Sequence, residues 1–194
     1  PKFAKKDLGA KDEKWPGKLF GWGMTHSYHY HGFSYASWPT YFLQIGGTGK
    51  NAKDCGKDGD PLKLYIGKSI AGTMFDAATC ELGENWRMPT SDEMKGIAEN
   101  CTITWDGKGL GYVVTGKGAY KGVSMYLNAN GYLKGSVNNE EFGINTHYWT
   151  ADGSKNASKA KAFMSSVNKK GSFKFISEEK DRFEGRQIRP VLAE

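Results

Sequence analysis

The sequence predicts a single α+β domain in which two short helices pack on a small twisted antiparallel sheet with long loops. Two segments combine helix-capping residues with apolar side chains at helical spacing. Many short segments alternate apolar and polar residues, which is typical of strands. The 26 glycines and the 13% aromatic content indicate a loop-rich fold built on aromatic side chains. Because 194 residues suffice to bury one core, we predict one domain over 1–194.

The first third of the chain predicts short strands and loops. Short strands or aromatic loops are expected in three segments that are rich in aromatic residues, namely 20–22, 28–30 and 38–43. Residues 46–60 are rich in glycine, lysine and aspartate, so we expect an exposed loop there. Residues 62–66 alternate large apolar side chains with Lys63 and Tyr65, which predicts a strand.

Two helices are predicted at about 74–82 and 91–100. Thr73 is expected to cap the first helix, and Gly83 stands where a helix-ending glycine belongs. In the second helix, Thr90 and Glu93 form a capping box. The residues after it place an apolar stripe on one face, which consists of Met94, Ile97, Ala98 and Cys101.

The second half of the chain reads as strands joined by glycine turns. Strands are predicted at 123–128, 148–150, 160–167, 173–176 and 187–192. Pro190 lies in the last of them, so that strand is expected at a sheet edge or chain terminus.

Several motifs resemble one protein family in the same order along the chain. They are Asp-Leu-Gly-Ala at 7–10, Phe-Gly-Trp-Gly-Met-Thr at 20–25, Asp-Ala-Ala at 76–78, Trp-Arg-Met-Pro-Thr at 86–90, Tyr-Trp-Thr at 148–150 and Gly-Arg-Gln-Ile-Arg-Pro-Val at 185–191. The chain resembles the Fibrobacter succinogenes major paralogous domain family over nearly its whole length. The resemblance implies a secreted or surface-attached bacterial protein whose fold is similar to C-type lectins and formylglycine-generating enzymes. It further implies that the two chain ends lie close together.

The formal net charge of +6 comes mainly from lysines scattered along the sequence. We interpret them first as a solubilising surface, with attraction to an acidic or sulfated glycan as the alternative. The sequence lacks the arginine clusters and recognition-helix patterns of nucleic-acid-binding proteins, so we expect no nucleic-acid partner. No apolar run approaches the roughly 20 residues that span a bilayer, so the chain is expected not to cross one.

Two polar clusters contain side chains of the types that bind metal ions. The first is the histidine cluster His26, His29 and His31, and the second is the acidic cluster Asp54, Asp58 and Asp60. The histidine spacing matches no zinc pattern, and the acidic loop lacks the ligand order of a calcium-binding hand. We therefore interpret the histidine cluster as part of an aromatic surface loop and the acidic cluster as part of a charged loop, rather than as metal sites. We predict neither a metal nor a cofactor.

The chain is expected to be a binding protein rather than an enzyme. The sequence does not assemble a Ser-His-Asp or Cys-His nucleophile. Cys55, Cys80 and Cys101 match no zinc spacing, and they leave the choice of a disulfide pair open. The alternative is a metal-dependent oxidase related to the formylglycine-generating enzymes, which use a cysteine pair. Cys80 and Cys101 lie in or beside predicted helices, which argues against that role.

The resemblance implies adhesion or glycan recognition, with an extracellular glycan or a surface protein as partner. Aromatic rings stack on the apolar faces of sugars, so an aromatic loop suits that role. The predicted ligand contacts are Tyr28, His29, Tyr30, Trp38, Asp152, Lys155 and Asn156. Arg87 and Arg189 are expected to hold the structure together instead. A structural subunit of a surface filament is the alternative function.

Overall fold

The computed structural model describes residues 1–29, 35–135, 139–167 and 173–193. The α-helices of this part are Trp38–Gln44 (α1), Ala77–Leu82 (α2) and Ser91–Asn100 (α3). Short 3-10 helices occur at Ala52–Asp54, Lys63–Tyr65 and Gly118–Tyr120. The strands are Trp86–Arg87 (β1), Cys101–Asp106 (β2), Gly111–Gly116 (β3), Ser124–Asn128 (β4), Tyr132–Leu133 (β5), Asn139–Glu140 (β6), His147–Gly153 (β7), Lys159–Val167 (β8), Phe173–Asp181 (β9) and Val191–Leu192 (β10).

The strands form several small sheets rather than the one sheet that the sequence predicts. β2, β3 and β4 form one three-stranded sheet, and β7, β8 and β9 form another. β1 pairs with β10, and β5 pairs with β6. Each of these pairs is antiparallel, which together with the short helices confirms the α+β class.

α3 has the predicted bounds because its N-terminus is specified locally. The Thr90 hydroxyl accepts a hydrogen bond from the Glu93 amide at 3.2 Å, and Oε2 of Glu93 accepts one from the Thr90 amide at 2.8 Å. Met94 and Ile97 are buried, as the apolar stripe requires. Arg87 forms two hydrogen bonds of 2.7 and 2.8 Å with the Glu93 carboxylate, which confirms its structural role.

α2 begins at Ala77, later than predicted, because Asp76 rather than Thr73 is its N-cap. The Asp76 carboxylate accepts hydrogen bonds from the Ala78 and Thr79 amides within the helix. It also accepts one from the Met88 amide at 2.9 Å, so a single buried carboxylate joins α2 to the chain after β1. Gly83 ends the helix with a φ of 90°, as predicted.

Two predictions are wrong, namely the strand at 62–66 and the strand or aromatic loop at 38–43. Residues 62–66 contain the 3-10 helix Lys63–Tyr65, in which Leu64 is 71% exposed, so their alternation reflects no buried sheet face. Residues 38–43 lie in α1, where Ser37 accepts a hydrogen bond from the Thr40 amide. A serine cap followed by a proline in the first turn is a helix-start signal that outweighs the aromatic content of the segment.

The two ends of the described chain pair with each other, as predicted. Phe3 forms an antiparallel bridge with Val191, and the Leu192 amide donates to the Lys2 carbonyl at 3.0 Å. Arg189 is fully buried beside them and donates to Oδ1 of Asp7 at 2.6 Å. This ion pair confirms that Arg189 is structural, although the last strand is shorter than predicted.

The apolar core formed by the described residues has two clusters. The larger one includes the aromatic residues Trp22, Tyr41, Phe42 and Trp149. The second contains Met94 of α3 together with Tyr112, Leu127 and Phe163, which come from both three-stranded sheets. α3 therefore packs against β7–β9 and closes the second cluster.

Candidate functional site

The structure does not support the predicted aromatic binding loop as a unit. Tyr28 is fully buried, and its hydroxyl donates to the Phe183 carbonyl. Burial raises the pKa of Tyr28 well above its usual value. Its prediction as a surface contact is therefore wrong, because the ring belongs to the core. His29 is exposed, and Tyr30 lies outside the described residues.

Trp38 is half-buried at the start of α1. Its ring centroid lies 5.7 Å from that of Tyr41 and 4.9 Å from that of Phe183, so one face of the ring packs on the core. In the described part of the chain, neither hydrogen bonds nor ring contacts join Trp38 to His29. The two side chains therefore do not form one site.

The other predicted contacts lie in and after β7. Oδ2 of Asp152 accepts a hydrogen bond from the Ser91 amide at 2.7 Å, so this carboxylate serves the N-terminus of α3. Oδ1 of Asn156 accepts hydrogen bonds from the Ser158 amide and hydroxyl in a local turn. Lys155 is exposed beside Gly67. The segment is a polar turn, two of whose three predicted contacts already serve structural hydrogen bonds.

The acidic cluster is divided among separate structural roles. Asp60 is buried and binds the Arg182 guanidinium at 2.8 Å, whereas the exposed Asp58 binds Lys63. Asp54 accepts hydrogen bonds from the Lys50 and Asn51 amides. Within the described ranges, no three histidine, cysteine or acidic side chains are grouped as metal ligands. His31 lies outside those ranges, while His26 and His29 are exposed.

The three cysteines are free thiols in different environments. Cys55 is buried, Cys101 is half-buried and Cys80 is exposed. Desolvation by burial raises the pKa of each thiol above its usual value. Each thiol is therefore held in its protonated form at neutral pH, in which it is a poor nucleophile.

A different region has the features of a ligand site. A cavity of about 60 Å³ opens where residues 128–130 at the end of β4 meet three further chain segments. They are the loop 12–17, the turn between β2 and β3, and the loop 141–146 after β6. Its apolar lining consists of Pro16, Leu110, Ala129 and Phe142, and Lys14 lies at the same cavity.

Asn128 and Asn130, two buried residues of the cavity lining, hold the loop 12–17 in place. Nδ2 of Asn128 donates to the Trp15 carbonyl at 3.2 Å, and Nδ2 of Asn130 donates to the Gly17 carbonyl at 3.1 Å. The Gly17 amide in turn donates to Oε1 of Gln187 at 3.1 Å. These bonds fix the backbone on both sides of the cavity residue Pro16, so the loop is preformed.

A partly buried polar network holds the loop 141–146 in the same way. Oε2 of Glu141 accepts hydrogen bonds from Asn145 at 2.9 Å and from Nε2 of His147 at 2.8 Å. Hydrogen bonding to His147, the largest cause, lowers the pKa of Glu141 to about 2. The Gly143 amide also donates to the Ala129 carbonyl at 2.8 Å, which joins this loop to the cavity wall.

The turn between β2 and β3 completes the site. The Asp106 carboxylate accepts hydrogen bonds from the Lys108 and Gly109 amides and from Nζ of Lys14 at 3.2 Å. Gly109 packs directly against the Tyr126 hydroxyl, so a side chain at position 109 would collide with it. The contact from Lys14 to Asp106 also ties this turn to the loop 12–17.

Backbone strain concentrates at this site. Leu110 and Glu141 are the two non-glycine residues with positive φ in the described part of the chain, at 54° and 58°. Both values lie in the left-handed region, which costs a non-glycine residue on the order of 1 kcal/mol. Such strain clusters at ligand-binding sites, where the surrounding structure enforces it.

Large apolar side chains remain exposed here: Leu110 and Phe142 line the cavity, and Trp15 lies in sequence between the lining residues Lys14 and Pro16. Trp15 is 59% exposed, Phe142 52% and Leu110 42%. We call this region the Trp15–Phe142 surface and define it by these three residues. Trp15 stood among the aromatic residues visible in the sequence, whereas nothing in the sequence singled out Leu110 or Phe142. The glycine-rich turn at 107–111 was the one local sign of a special backbone there.

Comparisons with protein-family models, curated proteins and solved structures found no match to this chain. The resemblance to the major paralogous domain family therefore rests on the sequence motifs. Among the described residues, every helix is too short or too polar to cross a lipid bilayer.

Proposed function

We propose that this protein is a secreted or cell-surface binding module that recognises an extracellular glycan through the Trp15–Phe142 surface. One observation carries the proposal: exposed aromatic side chains lie on loops that hydrogen bonds from the buried residues Asn128 and His147 hold in place. A rigid aromatic surface binds the apolar face of a sugar with little loss of conformational entropy. The proposed binding site is therefore the Trp15–Phe142 surface, in place of the loops at 28–38 and 152–156 that the sequence predicts.

We also propose that the fold is C-type-lectin-like. The pairing of Phe3 with Val191 and the small antiparallel sheets around short helices support this assignment. Such folds carry recognition loops on a rigid scaffold, which is how loops 12–17 and 141–146 are held here.

A binding role agrees with the chemistry of the thiols better than an oxidase role. An oxidase of the formylglycine-generating type needs cysteines that ionise or bind metal readily. The raised pKa values of Cys80 and Cys101 oppose ionisation at neutral pH. Stoichiometric tight binding of Cu(I) by two of the thiols would contradict the binding-module proposal.

A glycan array tests the proposed function. The protein is expected to bind at least one glycan saturably, and Trp15→Ala and Phe142→Ala are expected to weaken that binding at least tenfold. Tyr120→Ala is the matched control, because Tyr120 is 54% exposed beyond the opposite end of β3. Equal losses in all three variants, or losses in none of them, would contradict the site.

A structural subunit of a surface filament is the second candidate function, because β2 is an edge strand. β2 pairs with β3 alone among the described strands, and its residues 101–105 carry no charged side chain. Charged residues normally protect such an edge from pairing with another chain. Co-purification of a partner that is lost in Thr104→Pro, together with an empty glycan array, would favour assembly.

A further inference from the structure

The backbone of β2 points hydrogen-bonding groups away from its sheet. β2 pairs with β3 alone among the described strands. The Lys117 amide donates to the Asn100 carbonyl at 2.9 Å, which extends the β2–β3 ladder by one pair and fixes its phase. Hydrogen-bonded and non-hydrogen-bonded pairs alternate in an antiparallel ladder. Thr102 and Thr104 therefore direct their backbone groups toward β3, and Ile103 directs its amide and carbonyl toward the free edge.

The opposite edge of the same sheet is already closed by side chains. The Tyr126 carbonyl in β4 accepts a hydrogen bond from the Arg189 guanidinium. The Asn128 amide, also in β4, donates to the Tyr148 hydroxyl at 3.0 Å. The backbone of Ile103 has no such partner among the described residues. Because unpaired backbone groups on an edge strand are a template for another strand, β2 is the edge of this sheet that can accept one.

The sequence of β2 is suited to pairing with itself. Residues 101–105 carry no charged side chain, whereas β9, an outer strand of the other three-stranded sheet, is charged at 178–181. Thr102 and Thr104 flank Ile103 symmetrically, and both are exposed on one face of the sheet. Antiparallel pairing of two copies about Ile103 places Thr102 opposite Thr104 of the second copy. Facing threonines stabilise such a pair through their hydroxyl groups.

We propose that the chain forms a symmetric dimer in which the β2 strands of two copies pair antiparallel about Ile103. The two Ile103 residues exchange both backbone hydrogen bonds, in agreement with the phase of the ladder. Asp106, at the end of β2, faces Asn100 of the second copy, so the two carboxylates stay apart. The contact uses the same edge of each copy, so it closes at two chains and leaves no free β2 edge for a fibre.

The dimer carries two copies of the Trp15–Phe142 surface. The turn that supplies Gly109 and Leu110 to the cavity follows directly after β2. In the proposed register the two Asp106 residues lie about 20 Å apart, which is roughly six residues at 3.4 Å each. The two turns therefore lie at opposite ends of the paired strands. Two sites held on one sheet bind a repetitive ligand of matching spacing more tightly than one site does.

Analytical ultracentrifugation tests the dimer, and paired charges test its register. The wild-type chain is expected to sediment as a dimer at high protein concentration and to dissociate on dilution. T102K/T104K places lysine opposite lysine across the interface, and it is expected to weaken dimerisation at least tenfold. T102K/T104E places each lysine opposite a glutamate, so it is expected to dimerise at least as tightly as the wild type.

Two further samples complete the experiment. T115K/S124K is the matched control, because Thr115 and Ser124 are exposed on the same face of the sheet in β3 and β4, away from the free edge. It is expected to dimerise as the wild type does. A mixture of T102K/T104K with T102E/T104E, each weak alone, is expected to form mixed dimers. Circular dichroism and thermal unfolding check that all variants keep the fold.

The outcomes decide both the dimer and its register. A wild-type monomer at every concentration would overturn the dimer and leave the β2 edge to a filament partner. Equal dimerisation of T102K/T104K and the wild type would overturn the assignment to β2, as would an equal loss in T115K/S124K. Equal losses in T102K/T104K and T102K/T104E would overturn pairing about Ile103. All of these results leave the glycan-binding proposal standing, because Trp15 and Phe142 lie outside β2.

Discussion

Nδ1 of His147 lies 2.6 Å from Nη1 of Arg186 in the protein interior. A guanidinium can only donate, so Nδ1 must accept this hydrogen bond. The ring proton therefore resides on Nε2, which donates to Glu141 at 2.8 Å. Neutral His147 thus connects the buried Arg186 to the loop that presents Phe142.

This arrangement predicts loss of stability in mild acid. Burial lowers the pKa of His147 from its usual value of 6.5. The charges of Arg186 and Lys180 lower this pKa further, whereas the hydrogen bond to Glu141 raises it. In the window below pH 6.5 and above the folded pKa, the unfolded chain binds more protons, so the free energy of unfolding falls as pH falls. Glu184, which binds Arg186, and the neighbouring ring of Tyr132 also face this network.

Urea unfolding at pH 8.0, 6.5 and 5.5 measures the effect. The wild-type chain is expected to lose stability over this range, and His147→Gln, which cannot titrate, is expected to show a smaller slope. Glu141 titrates only below its usual value of 4.5, so its contribution is lost at lower pH. Identical slopes in both proteins would show that His147 is not the responsible group.

Removal of Asp7 is expected to be costly. The Asp7 carboxylate and the Arg189 guanidinium are both inaccessible to solvent, so Asp7→Ala leaves a buried cation without its partner. The expected loss is about 3–5 kcal/mol in the free energy of unfolding, measured with urea. Lys95→Ala breaks an exposed pair with Asp92 and is expected to have little effect. Equal effects of the two substitutions would contradict the structural role of Arg189.

Asp76→Ala is expected to destabilise the chain by about 2–4 kcal/mol, because it leaves several buried amides without an acceptor. These include the Ala78 amide in α2 and the Met88 amide after β1. Thr73→Ala is expected to cost less than about 1 kcal/mol, because the Thr73 hydroxyl donates to the Ile70 carbonyl and does not cap α2. Thermal unfolding of both variants measures the two losses of stability. A larger loss in Thr73→Ala than in Asp76→Ala would identify Thr73 as the N-cap instead.

Leu110→Gly is expected to separate stability from binding. Glycine adopts the φ of 54° without strain, so the free energy of unfolding is expected to rise by about 0.5–1 kcal/mol. Glycan affinity is expected to fall, because the cavity loses one wall. Val113→Gly, in regular β3, is expected to destabilise the chain instead. A destabilised Leu110→Gly with unchanged affinity would remove Leu110 from the site.

Local chemistry explains which elements the sequence predicts correctly. The start of α3 is predicted correctly because Thr90 and Glu93 specify it within four residues. The alternation at 62–66 misleads because apolar spacing alone does not say whether a sheet partner exists; Leu64 is exposed instead. The N-cap of α2 is ambiguous because both Thr73 and Asp76 are capping residues, and their tertiary contacts decide the outcome.

The candidate site depends on contacts between distant parts of the chain. Asn128 holds the Trp15 carbonyl across 113 residues of sequence, a contact that no local pattern reveals. Tyr28 and Trp15 are both aromatic residues in polar surroundings, yet one is buried and the other is exposed. The positive φ values of Leu110 and Glu141 arise from packing, so the sequence does not predict them.

Amide chemical-shift mapping by NMR, with the tightest-binding array glycan as titrant, tests the central claim most directly. The largest shifts are expected at Trp15, Leu110 and Phe142, with smaller ones along the loops that carry them. Largest shifts at His29, Lys155 and Asn156, with none at Trp15, would instead place binding on the loops that the sequence predicts and contradict the site proposed here.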